Sequence, residues 1–141
     1  MIDIIPAHEA MLDFIDVQEK QREAFLRGLG ELKLALRSGA AHALVNRSRL
    51  LAIGGVVPTW ERRGTAWCVL ASGIGADMPG VTRMAKRGLV LQSSKYDRIE
   101  THVEASHDEG HRWMRLLGFS FEGTMRKFFY GRDYALYAIV R

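Results

Sequence analysis

The chain is 141 residues long, with 20 Lys plus Arg against 16 Asp plus Glu, a net charge of +4. That length suits a single domain with one core, residues 1–141, and 48% hydrophobic with 26% charged residues excludes a disordered tail protein. No apolar run approaches the ~18–20 residues of a membrane-spanning helix, and a single cysteine, Cys68, excludes a disulfide framework.

Ile2, Ile4 and Ile5 before Pro6 read as a short first strand closed by proline. From about Ala7 to Phe25 the apolar residues Met11, Leu12, Phe14 and Ile15 recur at helical spacing. A second helix carries Leu29, Leu32, Leu34 and Leu36 and stops at Ser38-Gly39. Three strand segments follow. Ala43–Val45 leads through a polar turn into Leu50–Val57, which Pro58 and the Glu61–Gly64 turn close. Thr65–Ala71 is nearly all apolar, as a strand buried on both faces is.

A glycine-bearing loop, Gly73-Ile74-Gly75 to Gly80, precedes a helix from Val81 to about Ser94. Ile99, Thr101, Val103 and Ala105 share one face of the next strand. Ser106 reads as the N-cap of a helix through Trp113 and Leu117 to Gly118, with Asp108 and Glu109 in its first turn. Phe119–Phe129 and Tyr134–Val140 form a hairpin about Tyr130–Asp133. The predicted class is α/β (α+β): a twisted mixed sheet of about seven strands flanked by about four helices, with the crossover from 65–71 to 99–105 making parallel neighbours.

Charge is unevenly spread. Residues 1–38 hold five basic against seven acidic groups, and residues 39–141 hold fifteen against nine. Arginine forks suit phosphate, which invites an anionic ligand. The basic residues come singly or in pairs, so a nucleic-acid-binding accessory role is disfavoured.

Two segments carry a family likeness. Leu50-Leu51-Ala52-Ile53-Gly54-Gly55-Val56 reads as a central strand, and Leu116-Leu117-Gly118-Phe119 with Glu122-Gly123 closes the helix-strand signature at 111–124. Gly131–Ile139 fits the last strand. These segments and the element order resemble the GNAT superfamily, the acetyl-CoA-dependent N-acetyltransferases, over nearly the whole chain. Within it, the 51–55 strand, the Trp67 strand and the short loop are most similar to small GNAT-like proteins of tailed phages, which include internal virion proteins.

The resemblance implies an acyl-CoA cleft between the strands at 65–71 and 99–105. It also implies a pyrophosphate cradle formed by Leu70, Ala71, Ser72, Gly73, Ile74 and Gly75, with His107 at the family's asparagine position. The sequence departs from the family pattern in two ways. No Arg or Gln stands at the family's distance ahead of Gly73 and Gly75, and Met114 stands where the family's acid tyrosine is found. Asp77 adds negative charge beside the expected cradle, and a plain strand-helix connection explains the same glycines.

Glu61, Glu100 and His107 are the weak catalytic candidates, since turn and surface roles explain the two acids equally well. His107 and His111 lie four apart on one helix, but two histidines are too few for a metal site, so no metal is expected. Cys68 reads as a buried, inert thiol. The expected function is that of a phage-type GNAT homologue with a degenerate loop and weak or absent acetyl transfer, virion- or ejection-associated. The alternative is an active transferase acting on a small amine or a protein amine. The expected cofactor is acetyl-CoA, the expected partners are an amine substrate or virion proteins, and the expected location is the (host) cytoplasm or the virion.

Overall fold

The computed structural model describes all 141 residues. Strand β1 (Asp3–Pro6) leads through a 3-10 turn (Glu9–Asp13) to helices α1 (Glu19–Arg27) and α2 (Leu29–Arg37). Strands β2 (Ala41–Asn46), β3 (Arg49–Trp60) and β4 (Arg63–Leu70) precede helix α3 (Met78–Gln92). Strand β5 (Arg98–Glu104), helix α4 (Asp108–Leu117) and strands β6 (Ser120–Phe129) and β7 (Arg132–Val140) complete the chain. The seven strands form one sheet in the order β1-β2-β3-β4-β5-β7-β6. β1, β2 and β3 pair antiparallel, β4 pairs parallel with β5, and β7 runs antiparallel to β5 and β6. The mixed sheet, the four helices and the parallel crossover are those that the sequence predicts.

Several boundaries differ, each for a physical reason. The expected helix over 7–25 is broken. Only Glu9–Asp13 and Glu19–Arg27 are helical, because Asp16 and Gln18 give their backbone groups to β4 instead. Pro58 does not end a strand, since β3 runs on to Trp60. Helix α3 starts earlier than predicted, at Met78, with Pro79 in its first turn, where a missing N–H costs nothing. Ser106 is not the cap of α4. His107 holds that position and makes no side-chain cap to the helix N–H groups, while the Ser106 hydroxyl donates to Glu104 at 3.2 Å. Thr65–Ala71 is not buried throughout: Thr65 to Cys68 are half-exposed.

The chain divides into two compact units, residues 1–57 with 67–84 and residues 58–66 with 85–141. The first buries Ala43, Leu51, Ile53 and Ile74 almost completely. Close approach explains Gly54, where a Cβ would lie 2.7 Å from the Trp67 carbonyl oxygen. The Trp67 indole N–H is buried with no partner.

The second unit packs Ile99, Val103, Met114, Leu117 and Tyr137. Gly118 ends α4 at φ +96, a left-handed cap open to glycine. At the base of β5, Arg98 donates from both terminal nitrogens to Glu122 and from Nε to Glu100 at 2.8 Å. Arg63 reaches the same Glu100 oxygen at 2.9 Å.

Candidate functional site

The site begins with the alternation of backbone groups along β4. The Ala71 N–H donates to Leu51 O of β3 at 2.8 Å. Residues 66, 68, 70 and 72 therefore direct their N–H and C=O groups to the other edge. The parallel ladder with β5 covers only Arg63↔Arg98, Gly64↔Ile99 and Thr65↔Glu100. At the next position a side chain replaces it: the Thr101 hydroxyl donates to Ala66 O at 3.0 Å.

Beyond that point the edge is covered by the chain's own residues 16–21. Gln21 closes a two-bond clasp, its Nε2 donating to Cys68 O at 3.0 Å and its Oε1 accepting from Leu70 N at 2.9 Å. Gln18 N donates to Leu70 O at 3.0 Å, and Ser72 N donates to Asp16 O at 2.7 Å. Val17 and Ala71 thus form an antiparallel bridge.

The strand then turns into α3. Gly73 takes φ +66, and buried Ile74 anchors the turn. A single 3-10 turn, Gly75–Asp77, leads to Met78. The backbone N–H groups of Gly73, Gly75 and Ala76 make no hydrogen bond within the chain. Gly75 is exposed, with open space where a Cβ would stand.

The closing pair of the β2–β3 hairpin, Asn46↔Arg49, holds this turn at both ends. The Arg49 guanidinium donates to Ser72 O and, at 3.3 Å, to Gly73 O. Because a trans peptide sets its N–H opposite its C=O, both bonds turn the following N–H groups away from Arg49. Asn46 Nδ2 donates to Asp77 Oδ1 at 2.8 Å, so a polar partner already engages that carboxylate. Free amides followed by a helix N-terminus make a surface suited to a phosphate-bearing anion.

Leu70, Ala71, Ser72, Gly73, Ile74 and Gly75 are one continuous strand-to-helix turn. His107, Glu61 and Glu100 belong to the other compact unit. Glu61 is exposed on the β3–β4 turn. Glu100 is mostly buried, with two guanidinium groups on one carboxylate oxygen, an ion-pair hub. His107 packs over Gly110, where a Cβ would lie 2.7 Å from its Nδ1. His111 uses both ring nitrogens, Nε2 with Ala105 O at 3.0 Å and Nδ1 with the Tyr137 hydroxyl at 2.8 Å. The carbonyl can only accept, so Nε2 carries a proton. Burial pushes the Cys68 thiol up to about 12, which leaves no thiolate near neutral pH. Met114 is buried and carries no proton to give.

Nothing in the sequence singles out Gln21, and Asn46 and Arg49 stand out there only as turn residues. Arg49 and Gly73 stand 24 residues apart, a separation with no local motif. Its signal was the polar Asn46-Arg47-Ser48-Arg49 turn, which reads in sequence only as a turn.

Structural neighbours settle the architecture. An acetyltransferase of the GNAT family from Streptococcus pneumoniae superposes with a TM-score of 0.73 at 12% identity, covering 100% of both chains. The chain has the GNAT fold. A GNAT-family acetyltransferase from Bacillus anthracis gives 0.70 at 13% identity, over 99% of this chain and 94% of that one. A spermidine N-acetyltransferase chimera from Vibrio cholerae gives 0.69 at 15% identity, over 99% and 95%. No protein-family model and no curated protein matches the sequence.

Proposed function

We propose that this GNAT-fold chain is a single domain that binds acyl-CoA at the β4–α3 turn and transfers acetyl weakly or not at all. The observation that carries the binding half is the turn itself, whose N–H groups at Gly73, Gly75 and Ala76 are unpaired, the first of them set by the Arg49 bond to Ser72 O. A pyrophosphate would lie on those amides and the first turn of α3. The edge of β4 carries one acceptor, Cys68 O, and one donor, the Leu70 N–H, which match the amide-bearing arm of the thioester and which Gln21 holds in the free chain.

The weak-transfer half rests on the missing acid. Acetyl transfer forms a C–N bond from an amine to the thioester carbonyl and breaks the C–S bond. The ammonium proton must leave and the thiolate must gain one. Met114 cannot supply the second proton, and Glu100 is engaged by two arginines. An active transferase on a small polyamine-like amine is the second reading, favoured by the spermidine N-acetyltransferase among the neighbours. There the thiolate would take its proton from water.

Thermal melting with millimolar acetyl-CoA separates these readings from no binding at all. A ligand at 100 times its Kd stabilises by about 2.7 kcal/mol, so Tm should rise, and an unmoved Tm would end both readings. Thiol release in the presence of spermidine and other amines then separates binder from enzyme. The virion association rests on the sequence resemblance alone, and absence of the chain from purified particles by mass spectrometry would end it.

A further inference from the structure

We infer that Gln21 competes with the arm of acyl-CoA for the edge of β4, so that this side chain sets how tightly the thioester binds. The inference rests on the acyl-CoA reading above. The Gln21 carboxamide and the amides of the arm are the same functional group. Gln21 offers both its C=O and its N–H from one carboxamide. The arm, whose amides are trans, would take the Leu70 N–H with the C=O of one amide and give to Cys68 O with the N–H of the other. In the free chain Gln21 already makes both bonds, at 2.9 and 3.0 Å.

An arm carbonyl can take the Leu70 N–H only as the side chain leaves, because that N–H has one proton to give, already given to Gln21 Oε1. Cys68 O keeps a second lone pair, so the Leu70 N–H is the contested group. The exchange needs no unfolding. Gln21 stands in the first turn of α1 and is half-exposed, so rotation about its side-chain bonds frees the edge. Meanwhile the backbone bonds of Asp16 and Gln18 to Ser72 and Leu70 keep the helix start in place. A purely structural clasp and a competitor make opposite predictions. Removing a clasp weakens everything, whereas removing a competitor weakens the free fold and strengthens ligand binding.

The test measures Kd by calorimetry for acetyl-CoA and for adenosine 3′-phosphate 5′-diphosphate, the nucleotide half without the arm. For Gln21→Ala the expected result is acetyl-CoA binding roughly 10-fold tighter, as two neutral hydrogen bonds no longer have to be broken. The affinity for the nucleotide half is unchanged, and the ligand-free Tm is lower. Wild-type or weaker acetyl-CoA affinity in the variant overturns the inference, while nucleotide binding by the wild type keeps the acyl-CoA reading. Failure of both proteins to bind either ligand overturns both.

Should Gln21→Ala not fold, Gln21→Glu retains the acceptor for Leu70 N–H and sets an oxygen against Cys68 O. Its acetyl-CoA affinity should rise by a smaller factor, and no rise overturns the inference. Amide exchange at Leu70 gives an independent readout. It should speed up in the free variant and slow again with acetyl-CoA, and an amide that stays fast overturns the competition.

Discussion

Arg49 performs at the strand-to-helix turn a task that no residue close to the turn in sequence performs. By holding Ser72 O and Gly73 O it turns two N–H groups outward, so its effect on an anion passes through the backbone. Arg49→Ala should therefore weaken acetyl-CoA binding by roughly 10-fold, the scale of a lost charge-assisted hydrogen bond. Arg47→Ala, which removes an equal charge from the exposed tip of the same hairpin, should change Kd little. Equal losses in calorimetry would show bulk charge at work instead of positioning. Gly73 is the second sensitive residue. At φ +66 an alanine would be strained by about 1–2 kcal/mol, and Gly73→Ala should lower Tm by several degrees. The glycines were legible in the sequence because a left-handed turn needs them. Arg49 and Gln21 were not, because their partners are backbone atoms brought near only by the sheet.

At the level of elements, the strands and helices were read correctly where period and caps agreed, as at β5 and at Gly118. They were misread where a distant partner took over. The segment 14–18 has helical spacing, yet its backbone groups serve the β4 edge, and Phe14 is left 80% exposed. The base of β5 shows the same dependence on partners. Arg98 bridges Glu100 on its own strand and Glu122 on β6, and Arg98→Ala strips a mostly buried Glu100 of one of its two arginines. A loss of about 2 kcal/mol in urea melts is expected, and a loss below ~0.5 kcal/mol would mean that Arg63 suffices. Two residues on, burial lowers His102 below its ordinary 6.5, and its ring sits 4.9 Å from Phe128. The unfolded chain takes that proton first as pH falls, so stability drops below about pH 6.5. Melts at pH 7 and 5.5 should show the decline, and His102→Phe should flatten it.

For the whole molecule, further acidification adds a second loss. Hydrogen bonds from Arg37, Arg62 and Arg98 hold Glu9, Asp97 and Glu122 below their ordinary values. Carboxylates lowered in this way contribute stability above the unfolded value, near 4, and lose it as pH falls through their own lower values. All three lie at the surface, so added salt should shrink this stage, and an unchanged acid limb at 0.5 M salt would rule it out. Some arginines are thus engaged by carboxylates, and others, such as Arg49, by backbone carbonyls. Finally, the sheet has two outer strands, and each is poorly built for recruiting another chain. β1 is four residues long and ends in proline. β6 is long and carries exposed Phe121 and Phe128, but its register breaks between Phe121 and Gly123 and again between Met125 and Phe129. Gly123 and Lys127 have positive φ at those breaks. An incoming strand would meet only a few aligned donors before the edge twisted away, a poor template for fibrils despite the apolar rim.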